Sequence, residues 1–174
     1  QKETPGLVAC KQPYPLLSDR VDVQVFQSNP LKSDLELTGI VSVILWVSSS
    51  AKDTDFTARL LDIYPPSGKY PNGFHMPIAD SILRTRYREG YDQEIFMESG
   101  KIYKITIPLP PTSNLFRIGH QIRIDIASSN FPRFDINPNT GEPVGQHTYI
   151  TKATNGVHFN PEHPSRITVP VVRD

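Results

Sequence analysis

The chain has 174 residues, 37% of them hydrophobic and 21% charged, with eighteen basic residues balancing eighteen acidic ones. A domain of this size buries roughly 70% of the surface its unfolded chain exposes, so a real core is available. The charge balance gives no footing for nucleic acid or an anionic membrane, and the longest apolar run, residues 40–47, is far short of the ~20 residues of a spanning helix.

A single cysteine, Cys10, excludes an internal disulfide, and no base stands recognisably beside it to make it reactive. No signal peptide is visible. Together these favour a reducing cytoplasm. The chain opens Gln-Lys-Glu-Thr-Pro rather than on Met, like an excerpt from a longer protein.

Residues 1–20 carry Pro5, Pro13 and Pro15 without periodicity and read as an extended lead-in. From residue 21 the pattern has a period of two, the mark of half-buried strands. Val21, Val23 and Val25 alternate. Leu37, Val41, Val43, Leu45 and Val47 share one parity and Ile40, Ile44 and Trp46 the other, as in a central strand covered on both faces, with Trp46 in the core. Phe56, Ala58 and Leu60 form the next run, which stops at Tyr64-Pro65-Pro66-Ser67-Gly68. Residues 78–88 are another strand candidate. Tyr103, Ile105, Ile107 and Leu109 alternate up to Pro110-Pro111, then Ile122, Ile124 and Ile126, and finally Ile167, Val169 and Val171. No long segment has helical spacing. About eight strands parted by Gly, Pro and Asn predict an all-β domain over residues 21–174, a sandwich or jelly roll. Residues 129–165 are the longest irregular stretch, of the kind that is often functional or packs on a partner.

Catalytic motifs are absent. A nucleophile elbow needs small residues flanking the serine, and the only glycines at that spacing, Gly141 and Gly145, enclose Pro143. There is no H-E-x-x-H, no Walker loop and no dinucleotide fingerprint, and the five histidines lack ligand spacing. Asp135-Ile136-Asn137-Pro138-Asn139-Thr140-Gly141 begins like a calcium loop, but Thr140 stands where glycine is required and Gln146 where glutamate is. It reads as a structural loop whose Asn and Gly supply turns. Neither a metal nor a cofactor is expected. Arg84, Arg86 and Arg88 fall on one face of the strand candidate. That face is either solvated or docks on another domain through bidentate bonds to carboxylates. Asp53 and Asp55, just before a strand, cap a turn or pair with arginines.

Several blocks resemble a known family. Leu45-Trp46-Val47-Ser48-Ser49-Ser50-Ala51-Lys52-Asp53-Thr54-Asp55-Phe56-Thr57-Ala58-Arg59-Leu60 is similar to the C-terminal domain of Xaa-Pro dipeptidyl-peptidases and cocaine-esterase-like hydrolases. Ile82-Leu83-Arg84 with Arg86-Tyr87-Arg88 resembles a second block, and Ser113-Asn114-Leu115-Phe116 with Gly119-His120-Gln121-Ile122-Arg123 a third, where Gln121 replaces a frequent Arg. Ser128-Ser129-Asn130-Phe131-Pro132-Arg133-Phe134-Asp135 with Asn139-Thr140-Gly141, and His163-Pro164-Ser165-Arg166 with Val169-Pro170, complete the order.

The resemblance covers residues 19–172. It implies a non-catalytic jelly-roll β-sandwich of the galactose-binding-like type. Its partner would be an α/β-hydrolase catalytic domain of the same parent chain, which carries the Ser-Asp-His triad, and a homodimer is possible. It implies that the domain packs on the catalytic part and helps wall the substrate cleft. Asp53, Asp55, Phe56, Arg84, Arg86, Arg88, Asn130, Phe131 and Arg133 are the docking or cleft-lining candidates, on the 53–56 turn, the arginine segment and the loop 128–141. A competing function is a carbohydrate-binding module, with Tyr70, Phe74 and Tyr91 as the aromatic platform.

Overall fold

The computed structural model describes residues 19–143 and 145–173; the lead-in, apart from its last two residues, and Cys10 lie outside these. Ten strands follow in order: β1 (Val23–Gln27), β2 (Leu35–Gly39), β3 (Ser42–Ser49), β4 (Asp55–Tyr64), β5 (Phe74–Arg84), β6 (Tyr103–Pro108), β7 (Thr112–Phe116), β8 (Gln121–Ala127), β9 (Asn155–His158) and β10 (Arg166–Thr168). All pairings between them are antiparallel. One layer runs β1-β8-β4-β5. The other runs β10-β3-β6, with β9 also paired to β3, and β2 pairs with β7. The architecture is the all-β sandwich that the alternating pattern and the resemblance imply.

More strands form than the eight expected, because long strands bend. Gly39 (φ 134°) parts β2 from β3, and Pro110-Pro111 parts β6 from β7. The β2–β7 ladder therefore continues the β3–β6 ladder around one corner, bridged by the Leu109 N–H donating to the Val41 carbonyl at 2.9 Å. Glycine is required at the corner. Its φ is left-handed, and a Cβ there would come within 3.1 Å of Pro170 Cγ.

The core follows the parity of β3. Val43, Leu45 and Val47 are buried beside Ile105 and Ile107 of β6, and face Phe56, Ala58 and Leu60 of β4 and Ile124 and Ile126 of β8. The opposite parity is only half-covered. Trp46 is not in the core; it lies on the outer face, with its ring 5.1 Å from His163. The reason lies in the pairing. β10 covers residues 42–44 of β3 and β9 residues 46–49. The chain between them passes over Trp46, whose backbone N–H donates to Ser165 Oγ at 2.9 Å.

Strand β5 ends at Arg84, short of the expected residue 88. Residues Thr85–Tyr87 form a single 3-10 turn, so Arg84, Arg86 and Arg88 do not share a strand face. The turn is set by hydrogen bonds. The Thr85 N–H donates to the Thr54 carbonyl at 2.9 Å, and Thr85 Oγ1 to Asp53 Oδ1 at 3.2 Å. Among the described residues no helix is long and apolar enough to cross a membrane.

Candidate domain-docking site

Four of the predicted site residues, Asp53, Asp55, Arg84 and Arg86, meet at one end of the β4–β5 hairpin. Asp53 is 0% exposed and Asp55 1%. Burying an ionised carboxylate is tolerated only when charge and hydrogen bonds compensate it. Here they do. Arg86, itself 1% exposed, donates from Nε to Asp53 Oδ2 at 2.9 Å, and its backbone N–H donates to Asp53 Oδ1 at 3.0 Å. Arg84 grips Asp55 with two parallel bonds, Nε to Oδ1 at 3.0 Å and Nη2 to Oδ2 at 3.1 Å. Burial pushes the Asp55 carboxyl up, against the pull of Arg84 and Asn137, while the bond to Asp55 holds the Arg84 guanidinium above its ordinary value.

Each arginine also reaches outward. Arg86 Nη1 donates to Glu94 Oε1 at 3.1 Å and Nη2 to the Glu142 carbonyl at 3.0 Å. Arg84 Nη2 donates to Asp135 Oδ2 at 3.1 Å. The network therefore ties the start of β4 to the excursion that follows β8. Its keystone is Asn137, 5% exposed, whose Nδ2 donates to both Asp53 Oδ2 at 2.9 Å and Asp55 Oδ1 at 2.7 Å. The same side chain accepts from the Asn139 N–H at 2.8 Å, which sets up the left-handed Asn139 (φ 62°). The stretch that begins like a calcium loop is thus a loop anchored by an amide. Turn chemistry alone would miss Asn137, because its partners lie 84 and 82 residues away in the chain.

Arg88 stays local. Its Nη1 donates to the Thr85 and Ile95 carbonyls, and its guanidinium lies 4.5 Å from the centre of the Tyr103 ring. A second, smaller cluster fixes the beginning of the excursion. Arg59 Nη2 donates to Asn130 Oδ1 at 2.7 Å, Asn130 Nδ2 donates to Asp80 Oδ2 at 2.8 Å, and Arg133 Nε lies 3.0 Å from Asp80 Oδ1.

The nine candidates thus split. Asp53, Asp55, Phe56 and Arg86 are at most 1% exposed, with Phe56 in the main core. Those four present no side-chain surface to solvent. Arg84 and Arg88 are spent on internal bonds, so the solvated arginine face does not form. Asn130 is half-buried in its cluster, and Phe131 and Arg133 stand exposed. Apolar residues that the sequence did not single out join them on the excursion: Ile136, Tyr149 and Ile150 are all exposed. Of the aromatic platform, Tyr70 and Phe74 stack at 4.9 Å and Tyr64 meets both edge-on, so the rings cover one another. Tyr91 lies elsewhere, beside Tyr87.

Comparison with known proteins agrees with this frame. The family described as X-Pro dipeptidyl-peptidase C-terminal non-catalytic domain matches residues 1–168. Cocaine esterase of Rhodococcus sp. (strain MB1 Bresler) is 41% identical over 159 residues, covering 90% of this chain and 27% of that protein. Among solved structures, an α-amino acid ester hydrolase superposes with a TM-score of 0.84 at 33% identity, covering 90% of this chain and 26% of its own. An aminopeptidase from the marine sediment archaeon Thaumarchaeota archaeon gives 0.84 at 31% identity, covering 90% and 27%. The chain thus spans about a quarter of the length of these relatives.

Proposed function

The chain belongs to the family of X-Pro dipeptidyl-peptidase C-terminal non-catalytic domains, and from that premise we propose that residues 128–151 dock on the α/β-hydrolase catalytic domain of a longer parent chain and help wall its substrate cleft. One observation carries this reading. Phe131, Ile136, Tyr149 and Ile150 are 67%, 51%, 58% and 68% exposed on an excursion tied by Asn137, Asp135 and the Glu142 carbonyl to a buried ion-pair network. Large apolar side chains held exposed on a fixed stretch of chain mark a contact. A segment already ordered by its own network loses little conformational entropy when a partner covers it.

The parent reaction is acyl transfer to a serine outside this chain, followed by hydrolysis. Relatives named as esterase, ester hydrolase and aminopeptidase support esters and peptides, penultimate-proline peptides included, as the substrate class. This chain supplies no reacting group. Its part is to hold a wall that excludes water and shapes the pocket. The test is Ile136→Asp with Ile150→Asp in the intact parent enzyme. Ester turnover should fall and the melting temperature should drop, while the same pair in the 174-residue chain alone leaves its own melting unchanged. Unaltered kinetics and melting of the parent would refute the docking role.

A further inference from the structure

At the opposite side of the sandwich from β5, where β1 and β10 form the edges, the two layers do not close. By register, the β1 residues that share the inner face with core Ile126 and Ile124 are Gln24 and Phe26, and both are exposed. On the facing layer, Ile167 of β10 pairs with core Val43 and is also exposed. Between these edges lies a cavity of about 310 Å³. Its floor is the core itself, Val43, Leu45, Ile124 and Ile126, and Phe26 and Phe159 meet at its mouth with ring centres 5.1 Å apart.

The polar groups on the rim are few and unequal. Ser28 Oγ donates to the Asn29 carbonyl at 2.8 Å and Ser165 Oγ to the His158 carbonyl at 2.6 Å, so both hydroxyl protons are spent. Arg166 also lines the cavity. It is exposed, its side chain makes one bond, from Nη1 to the Pro164 carbonyl at 3.3 Å, and it forms no ion pair among the described residues.

We propose that this cavity binds one medium-chain carboxylate, with its hydrocarbon tail over the Val43–Ile124 floor and its carboxylate at Arg166. The volume falls within the range of small-molecule sites, which pair an apolar lining with a few placed polar groups. Water finds no partners on such a floor, whereas each methylene of a tail is taken out of water there. Charge complementarity selects the head group: the guanidinium is the one charged group on the lining, and its fork matches a carboxylate.

The experiment is a methyl-NMR titration of the 174-residue chain with hexanoate, octanoate and decanoate, and with decanol. Decanoate should bind saturably and shift the Ile124, Ile126 and Leu45 methyls. Each added methylene should tighten binding roughly fourfold. Arg166→Gln should weaken decanoate about fivefold, the scale of an exposed ion pair, and leave decanol unchanged. Ile167→Trp should block both ligands by filling the mouth; Arg166 is exposed, so its variant reads the head group even if Trp at 167 disturbs folding. No saturable binding, no dependence on tail length, or a decanoate preference that survives Arg166→Gln would each overturn the proposal. So would self-association at the mouth in place of binding. The site shares no residue with the excursion 128–151, so neither outcome bears on docking.

Discussion

Asn137→Ala isolates the keystone of the site. In the native chain its amide makes two bonds to buried carboxylates, at 2.9 and 2.7 Å, and accepts one from a backbone N–H at 2.8 Å. Bonds to charged acceptors contribute about 1.5–3 kcal/mol each and a neutral bond about 1 kcal/mol. Solvent entering the vacated space recovers part of this, leaving a net cost of roughly 4 kcal/mol. Against a typical domain stability of about 5–15 kcal/mol, the variant folds but melts far earlier. Asn137→Asp is the sharper companion. It places a third carboxylate against Asp53 and Asp55, and like charges near 4 Å repel by about 4 kcal/mol at an effective dielectric of 20. The new carboxyl therefore has a raised folded-state pKa. Its penalty is absent below the ordinary carboxylate range and grows as pH rises through it. Urea unfolding followed by Trp46 fluorescence at several pH values reads both variants. A cost for Asn137→Ala below about 1 kcal/mol, or Asp and Ala variants with the same pH dependence, would refute the keystone role.

Two further outcomes follow from the same end of the fold. Arg86→Ala leaves Asp53 buried and stripped of its cation, which costs about 3–5 kcal/mol. Arg86→Lys should rescue little, because a point ammonium cannot serve Asp53, Glu94 and the Glu142 carbonyl at once; a Lys variant as stable as wild type in chemical denaturation contradicts this. The Glu142 carboxylate is held below its ordinary value of 4.5, first by the Thr148 hydroxyl that donates to it. Its contribution to tying Thr148 to Glu142 is therefore present above pH 4.5 and lost as pH falls through the lowered folded value. Amide exchange at Thr148, whose N–H donates to Glu142 Oε2 at 3.2 Å, should lose protection in acid; protection that is flat with pH, after correction for intrinsic rates, removes the effect.

Period-two alternation exposes what a sandwich needs most, the inner faces of β3, β4, β6 and β8, because one parity of each must leave water. It misreads whatever depends on distant partners. Arg84, Arg86 and Arg88 keep the same parity in a strand and across a strand end, and arginine defaults to the surface. Only Asp53, 33 residues away from Arg86, reveals that the chain curls inward there. Trp46 shows the complementary error. Its neighbours are apolar on both parities, yet burial of the second face depends on where β9 and β10 divide one edge of β3. Asn137 was visible as an oxygen-bearing residue in a turn-rich loop, but its role rests on two carboxylates far away in sequence. The cavity at the β1–β10 edge leaves no local trace, since its floor residues look like any core.

Asp53, Asp55, Arg84 and Arg86, at the heart of the buried network, all lie within the stretches that carry the family resemblance, whereas Asn137, Ile136, Tyr149 and Ile150 do not. Asp53, Asp55, Arg84 and Arg86 satisfy their charges within the chain, the carboxylates and Arg86 almost wholly out of solvent. A buried ion pair adds little net stability over a well-packed apolar equivalent, but breaking one is expensive. Its value here is geometric. The two carboxylates at the start of β4 take the Asn137 amide, and the arginines that pair with them take Asp135 and the Glu142 carbonyl, and together these bonds fix the backbone on either side of exposed Ile136. A hydrophobic anchor of equal strength would tolerate sliding, since dispersion contacts are non-directional. On this physics the polar motif specifies the shape of the proposed docking surface, while Ile136, Tyr149 and Ile150, which the motif does not contain, supply exposed apolar side chains there.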